Sequence, residues 1–162
     1  MSIVTTLLFA LERHWRQLGF SYGPPVAPAQ LDEFERRYGV RLPTDLRAYF
    51  TTLNGSELGK NGPMDSHLIS FWHLSELCPL HEERPAAPIP DGKSYFVFAD
   101  YSIGVHDYVI ELAADARAPS SVMVAYDDVL IEVATSFTAF LERYLVGDGA
   151  VLFPDPAAFR QH

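Results

Sequence analysis

Apolar residues recur at helical spacing in three separate segments of the first third of the chain, residues 3–18, 28–38 and 42–53. Each segment is followed by a glycine, the residue that most often ends a helix: Gly19, Gly39 and Gly55. The pattern therefore predicts three amphipathic helices. Their inward faces are formed by Ile3, Val4, Leu7, Leu8, Leu11, Trp15 and Leu18, by Leu31, Phe34 and Tyr38, and by Leu46, Tyr49, Phe50 and Leu53.

Beyond residue 68 the apolar period changes to the alternation that is typical of strands. Five runs have this character: residues 68–72, 94–99, 105–112, 121–126 and 129–134. In the third run, alternation places His106, Tyr108, Ile110 and Leu112 on one face, and Asp107 and Glu111 on the other. Because the last four runs are joined by short connections, their strands must be antiparallel.

The remaining segments connect or close these elements. Residues 56–65 and the proline-rich residues 81–92 are predicted loops, and residues 74–77 a short helical turn. Ser136 is placed to cap a closing helix that ends at Gly147, and residues 148–162 form a tail over the core. The expected architecture is one α+β domain over residues 1–162, with N-terminal helices packed on an antiparallel sheet and a closing C-terminal helix.

The charge balance narrows the class of partner. Twelve Lys and Arg stand against 21 Asp and Glu, which gives a net charge of −9 with neutral His. Nucleic acids and anionic membranes are bound largely through Lys and Arg, so neither is an expected partner. An acidic chain favours a basic protein partner through electrostatic steering, although acidity also serves solubility alone.

Cysteine usage and the N-terminus bear on location. Cys78 is the only cysteine, so no disulfide forms within the chain and nothing indicates an oxidising compartment. The apolar start has no positively charged region before it, and charged residues follow Leu11 at once, unlike a signal peptide or a membrane span. We therefore expect a cytoplasmic protein.

Motifs that carry catalysis or bind cofactors are missing from the sequence: it has no H-E-x-x-H, no G-x-S-x-G, no P-loop and no G-x-G-x-x-G. No catalytic residue, metal ligand or cofactor is therefore assigned. The most suggestive polar group flanks the turn 102–105 and comprises Asp100, Tyr101, His106 and Asp107. A hairpin would bring a carboxylate beside an imidazole, which suits acid–base chemistry or a metal; Asp, Ser and Gly are also simply turn formers.

Three further features each allow two interpretations. Trp72 could anchor an interface, or belong to the core. Asp127-Asp128 could bind calcium, but its connection is far shorter than a calcium-binding loop and favours a turn. Gly59-Lys60-Asn61-Gly62 has the composition of a phosphate loop but not its spacing, which favours a flexible loop.

The order of these features resembles the SUKH superfamily of Smi/Knr-like domains. The stretch LDEFERRYGVRLPTDLRAYFTTLNG, residues 31–55, is similar to the opening of that family, in which a Leu-Pro starts a helix that ends in Asn-Gly. FWHLSEL at residues 71–77, YFVFADYSIGVHDYVIEL at residues 95–112 and the S-F-x-x-F-L pattern from Ser136 resemble its later segments. The resemblance covers about residues 28–146, and leaves the helix 3–18 and the tail 148–162 as additions. Ser56 and Ile103-Gly104-Val105 depart from the family's Gly-Gly pairs.

The resemblance implies a binding module rather than an enzyme. Many bacterial members are immunity proteins that bind secreted toxins, often nucleases, so the expected partner is a basic toxin domain. A regulatory or scaffold domain without a toxin, and a metal-dependent hydrolase built on Asp100, His106 and Asp107, remain alternatives. The residues expected to contact the partner are Trp72, Asp100, Tyr101, His106, Asp107, Asp127 and Asp128.

Overall fold

The computed structural model describes residues 2–158, which contain six α-helices and six strands. The helices are α1 (Ile3–Gln17), α2 (Pro28–Tyr38), α3 (Thr44–Thr52), α4 (Leu80–Glu83), α5 (Phe137–Leu145) and α6 (Gly149–Leu152). The strands are β1 (Ile69–Phe71), β2 (Cys78–Pro79), β3 (Tyr95–Tyr101), β4 (His106–Glu111), β5 (Val122–Ala125) and β6 (Leu130–Ala134). None of the helices within this described part is long and apolar enough to cross a membrane.

The strands form a single antiparallel sheet in the order β1-β3-β4-β5-β6, and β2 pairs with β3 next to β1. This confirms the predicted α+β class and the closing helix, which Ser136 caps by accepting a hydrogen bond from the Ala139 amide at 3.0 Å. Two short elements differ from the prediction. Residues 81–83, expected as part of a loop, belong to α4, which is held by the side chain of Leu80 in the core, and β2 was not predicted.

The core lies between one face of the sheet and the helices. Phe98 and Tyr108 of the central strands contact Phe140 of α5 at ring-centroid distances of 5.4 and 5.5 Å. Trp15 of α1 donates a hydrogen bond to the Tyr144 hydroxyl at 3.3 Å, which ties the first helix to the closing one. Burial of large aromatic side chains such as these stabilises the packing of the helices on the sheet.

The C-terminal tail packs as expected over part of its length. Val151 and Leu152 of α6 are buried, and the Tyr108 hydroxyl donates to the carbonyl of Leu152 at 3.0 Å. Residues 159–162, which belong to the predicted tail, lie outside the described residues.

The Asn-Gly pair at the end of α3 is a structural junction. The Asn54 amide donates to the carbonyl of Pro24 and its side-chain oxygen accepts from the amide of Leu74, both at 2.8 Å. Gly55 has a φ of +77°, and a Cβ atom there would lie 2.5 Å from the carbonyl oxygen of Trp72. Only glycine fits this position, because the backbone is left-handed and the neighbouring strand leaves no room for a side chain.

Candidate binding surface at the end of the sheet

Three connections meet at one end of the sheet. In the β3–β4 hairpin Asp100 lies opposite Asp107 and Tyr101 opposite His106, which confirms the predicted proximity of these residues. Strand β1 begins beside Tyr101, and the β5–β6 turn lies beside the start of β4. We call this region the sheet-end surface and define it by Leu68, residues 101–105, residues 126–129 and Phe153.

Asp100 supports the β3–β4 turn from beneath. It is buried and accepts two hydrogen bonds at 2.8 Å, from the indole nitrogen of Trp72 and from the backbone amide of Gly104. The Trp72 ring is itself 1% exposed, so it belongs to the core and presents no surface to a partner. Both residues therefore fix the shape of the turn from within.

Arg84, which the sequence did not single out, joins two of these connections, the β3–β4 turn and the β5–β6 turn, to helix α4. Its guanidinium lies at the end of α4 and donates to Asp107 at 2.8 Å, to Asp127 at 2.9 Å and to the carbonyl of Gly104 at 2.6 Å. These contacts link α4, β4, the β3–β4 turn and the β5–β6 turn. The available signal was that Arg84 is the one Lys or Arg within the acidic, proline-rich residues 81–92.

The carboxyl group of Asp107 is almost fully enclosed by this arrangement. Burial raises the pKa of Asp107 to about 6, and it outweighs the opposite effect of the Arg84 charge. The folded protein therefore disfavours the ionised form of this group relative to the unfolded chain. Breaking the pair by removing the guanidinium would leave a buried carboxylate without its counter-charge.

His106 serves this surface as a neutral aromatic ring. It stacks on Tyr101 with ring centroids 4.8 Å apart and an angle of 10°, and it contacts Tyr108 in a T-shaped and Tyr126 in a tilted arrangement. Neither ring nitrogen has a hydrogen-bond partner within residues 2–158. Burial lowers the pKa of His106 to about 4, helped by the positive charge of Arg84, so the imidazole is uncharged at neutral pH.

The hydrolase hypothesis finds no support in this geometry. Asp100, His106 and Asp107 are all buried, and the two carboxylates are engaged by Trp72, the turn and Arg84. Across the described residues, no group of three or more His, Cys, Asp and Glu side chains is placed to hold a metal ion.

The β3–β4 turn has an unusual backbone. Ser102, Ile103 and Gly104 follow one another with φ values of +47°, +57° and +82°, and nearby Leu68 has +64°. Three of the four non-glycine residues with positive φ in residues 2–158 thus lie on this surface. A left-handed conformation costs about 1–2 kcal/mol for an ordinary residue, and a β-branched residue such as Ile103 is a clear outlier.

Polar contacts hold the strained turn in place. The amide of Ser102 donates to the carbonyl of Leu68 at 2.7 Å, and the amide of Val105 donates to the carbonyl of Tyr101 at 2.9 Å. Together with the contacts of Gly104 to Asp100 and Arg84, they determine the backbone over the whole turn.

The surface of this turn is apolar. Exposed fractions are 41% for Leu68, 86% for Ile103, 54% for Val105 and 50% for Phe153. These are four of the nine large apolar residues that are exposed within the described chain. The half-buried ring of Tyr101 lies among them and contacts Phe153 edge-on, with centroids 5.4 Å apart. The sequence indicated the turn but not its exposed residues; the signal was two β-branched residues around Gly104.

The seven residues expected to contact a partner thus fall into two groups. Four are buried beneath the surface: Trp72, Asp100, His106 and Asp107. Tyr101 is partly exposed, and Asp127 and Asp128 are exposed on the β5–β6 turn. The structure brings most of them to one end of the sheet, and the accessible members lie beside the apolar turn.

A large cavity lies elsewhere on the molecule. It has a volume of about 790 Å³ and lies between the loop of Pro24 and Pro25, helix α2 and residues 74–78. Asn54 and Glu76 line it, but Oδ1 of Asn54 and Oε1 of Glu76 already accept backbone hydrogen bonds. The cavity shares no residue with the sheet-end surface.

Comparison with known proteins adds a family to this fold. The family model described as the SMI1 / KNR4 family (SUKH-1) matches residues 25–143, which include α2, α3, the whole sheet and most of α5. Comparison with curated proteins and with solved structures gives no significant match. The matched segment spans most of the chain and agrees with the motifs around Asn54-Gly55 and the β3–β4 hairpin, and the chain belongs to the SMI1/KNR4 family (SUKH-1).

Proposed function

We propose that this SUKH domain is a cytoplasmic protein-binding module that neutralises a secreted toxin domain of basic charge. The toxin would dock on the sheet-end surface. Its contacts would be Tyr101, Asp127 and Asp128, while the buried Trp72, Asp100, His106 and Asp107 support that surface.

The observation that carries this proposal is the Arg84 clamp. One guanidinium fixes the β3–β4 turn, the β5–β6 turn and α4 relative to each other through three hydrogen bonds of 2.6–2.9 Å. Loops that are already fixed in the free protein lose little conformational entropy when a partner binds. A rigid surface built from connections is typical of a recognition site on a stable scaffold.

Charge supports a basic partner. Four carboxylates, those of Asp100, Asp107, Asp127 and Asp128, lie along this end of the sheet, and the chain carries a net charge of −9. Exposed carboxylates attract a cationic partner over a distance of about one Debye length, roughly 8–10 Å at physiological salt, and accelerate association. Family membership supports binding over catalysis.

The test is a comparison of charge-reversed variants. The double variant Asp127→Lys/Asp128→Lys reverses the accessible carboxylates and also removes the contact of Asp127 with Arg84, so its fold is checked by circular dichroism and urea unfolding. The control Asp91→Lys/Glu142→Lys makes the same change in net charge at exposed residues away from this surface. The partner is sought as the product of the neighbouring gene, and association is measured by surface plasmon resonance at 50 and 300 mM salt.

We expect the Asp127/Asp128 variant to associate roughly tenfold more slowly at low salt, with the control close to wild type, because steering by exposed charge acts on the association rate. A partner that is acidic, or a complex indifferent to both salt and the Asp127/Asp128 change, would refute the proposal. A partner that is not a toxin would instead support the scaffold alternative.

A further inference from the structure

We infer that the partner is held through an apolar anchor, the tip of the β3–β4 turn, which enters an apolar socket rimmed by Lys or Arg side chains on the partner. Ile103 is the centre of this anchor, and Val105, Leu68 and Phe153 surround it. The inference rests on the proposed function and names the contact that would provide most of the affinity.

The first argument is the concentration of exposed apolar area. Ile103 is 86% exposed although it lies in a turn that Asp100 and Arg84 hold through hydrogen bonds to Gly104. Leu68 and Phe153 reach the same place from other segments, through the hydrogen bond between Ser102 and Leu68 and the ring contact between Tyr101 and Phe153. Single exposed apolar residues are ordinary, but a cluster on a rigid support marks an interaction site.

The second argument is that Ile103 makes no evident contribution to the free protein. Its backbone is left-handed, at φ +57°, where glycine or asparagine would fit without the strain of a β-branched side chain. Its side chain gains no burial in return. Strain of this kind persists where the surroundings determine the conformation, and it is concentrated at functional sites.

The third argument is that the two chemistries of the surface are arranged as in an interface. Hot spots are apolar or aromatic anchors near the centre of a contact, and charged groups lie around them. Here the exposed carboxylates of Asp127 and Asp128 lie on the neighbouring β5–β6 turn. The guanidinium of Arg84 donates hydrogen bonds both to Asp127 and to the carbonyl of Gly104, and so connects this turn to the apolar β3–β4 turn. A complementary partner therefore has an apolar socket with cationic groups on its rim.

The carboxylates and the apolar residues of this surface affect different rate constants. Long-range attraction by the carboxylates acts before contact and affects association. Burial of the Ile103 side chain occurs only in the complex, so its loss accelerates dissociation. The two roles can be measured separately.

The experiment begins with photo-crosslinking in the native cell. The photo-reactive residue p-benzoylphenylalanine replaces Ile103, Asp127 or Val146, one at a time. Val146 is the matched control, because it is also β-branched, 80% exposed and close to the end of an element, α5, away from this surface. We expect the same protein to be captured from positions 103 and 127 and not from position 146.

The captured protein is then purified, and its binding to Ile103→Asn and Val146→Asn is measured by surface plasmon resonance. Asparagine tolerates the left-handed conformation, so Ile103→Asn keeps the turn and removes only the apolar side chain. We expect dissociation to be ten- to a hundredfold faster for Ile103→Asn, with the association rate within about threefold of wild type, and no change for Val146→Asn.

The outcomes separate this inference from the proposed function. Capture at position 127 but not at 103, or a change of less than threefold in Kd for Ile103→Asn, overturns the apolar anchor and leaves the binding module intact. Capture at position 146 alone, or at none of the three positions, overturns both. Capture at 103 with the expected faster dissociation supports the anchor.

Discussion

The substitution Ile103→Gly tests the strain argument without any partner. Ile103 has a φ of +57° and is 86% exposed, so its replacement removes left-handed strain of about 1–2 kcal/mol and almost no buried area. Glycine also makes the unfolded chain more flexible, which costs about 0.5–1 kcal/mol. We therefore expect the free energy of unfolding to rise by about 0.5–1 kcal/mol, which corresponds to an increase in Tm of about 1–4 °C.

Urea unfolding followed by tryptophan fluorescence and circular dichroism measures this change, and an unchanged m-value ensures that the midpoint reports stability. Val146→Gly is the control, because Val146 is similarly exposed but has an ordinary φ of −92°. It relieves no strain, so it should lower stability by a few tenths to 1 kcal/mol. If Ile103→Gly lowers stability as much as Val146→Gly does, the turn is not strained and the reasoning fails.

Three further predictions concern buried parts of the structure. Removing the guanidinium with Arg84→Met should lower the free energy of unfolding by about 3 kcal/mol in urea titrations, because it leaves the buried Asp107 unpaired. The double variant Arg84→Met/Asp107→Leu should recover most of this loss. The pKa of the His106 imidazole is 6.5 in the unfolded chain but about 4 in the folded protein. The stability that comes from burying the neutral ring is therefore fully present above pH 6.5 and is lost as the pH falls to 4. His106→Phe should therefore gain stability relative to wild type by up to about 3 kcal/mol between pH 7 and 4, and a constant difference would contradict the assignment. Gly55→Ala should lower the free energy of unfolding by several kcal/mol, because the added Cβ would lie 2.5 Å from a carbonyl oxygen. Gly39→Ala, at φ +66° but with open space around it, should lower it by only about 1 kcal/mol in thermal melts. Equal losses would show that crowding at Gly55 is irrelevant.

Much of the fold was predictable because several local signals agreed. Helix α2 has the predicted bounds, since a proline opens it, an apolar stripe defines its buried face and Gly39 ends it in a left-handed conformation. The β3–β4 hairpin followed in the same way from alternation and a short connection. Consistency between propensity, pattern and turn chemistry makes such elements visible in the sequence alone.

The elements that the sequence did not predict depend on tertiary contacts. Strand β2 is two residues long and exists because β3 offers it a partner, and α4 is four residues long and held by the buried Leu80. Neither is long enough to show a period. Arg84 was missed for the same reason, since its role arises from a contact with Asp107, 23 residues away, and another with Asp127, 43 residues away.

At the candidate site, the residue types alone did not show which side chains are exposed. Charged residues are ordinarily exposed and isoleucine ordinarily buried, so the sequence favoured Asp100 and Asp107 as contacts and left Ile103 aside. The structure has the opposite distribution: the carboxylates are buried as supports of the turn, and the isoleucine is exposed at its tip. Both features are unfavourable by themselves, since the burial of a carboxylate costs free energy and so does the exposure of a strained apolar residue. The two features are coupled, because Asp100, and Asp107 through Arg84, hold the backbone that presents Ile103. This coupling supports the proposal that the turn presents Ile103 to a partner.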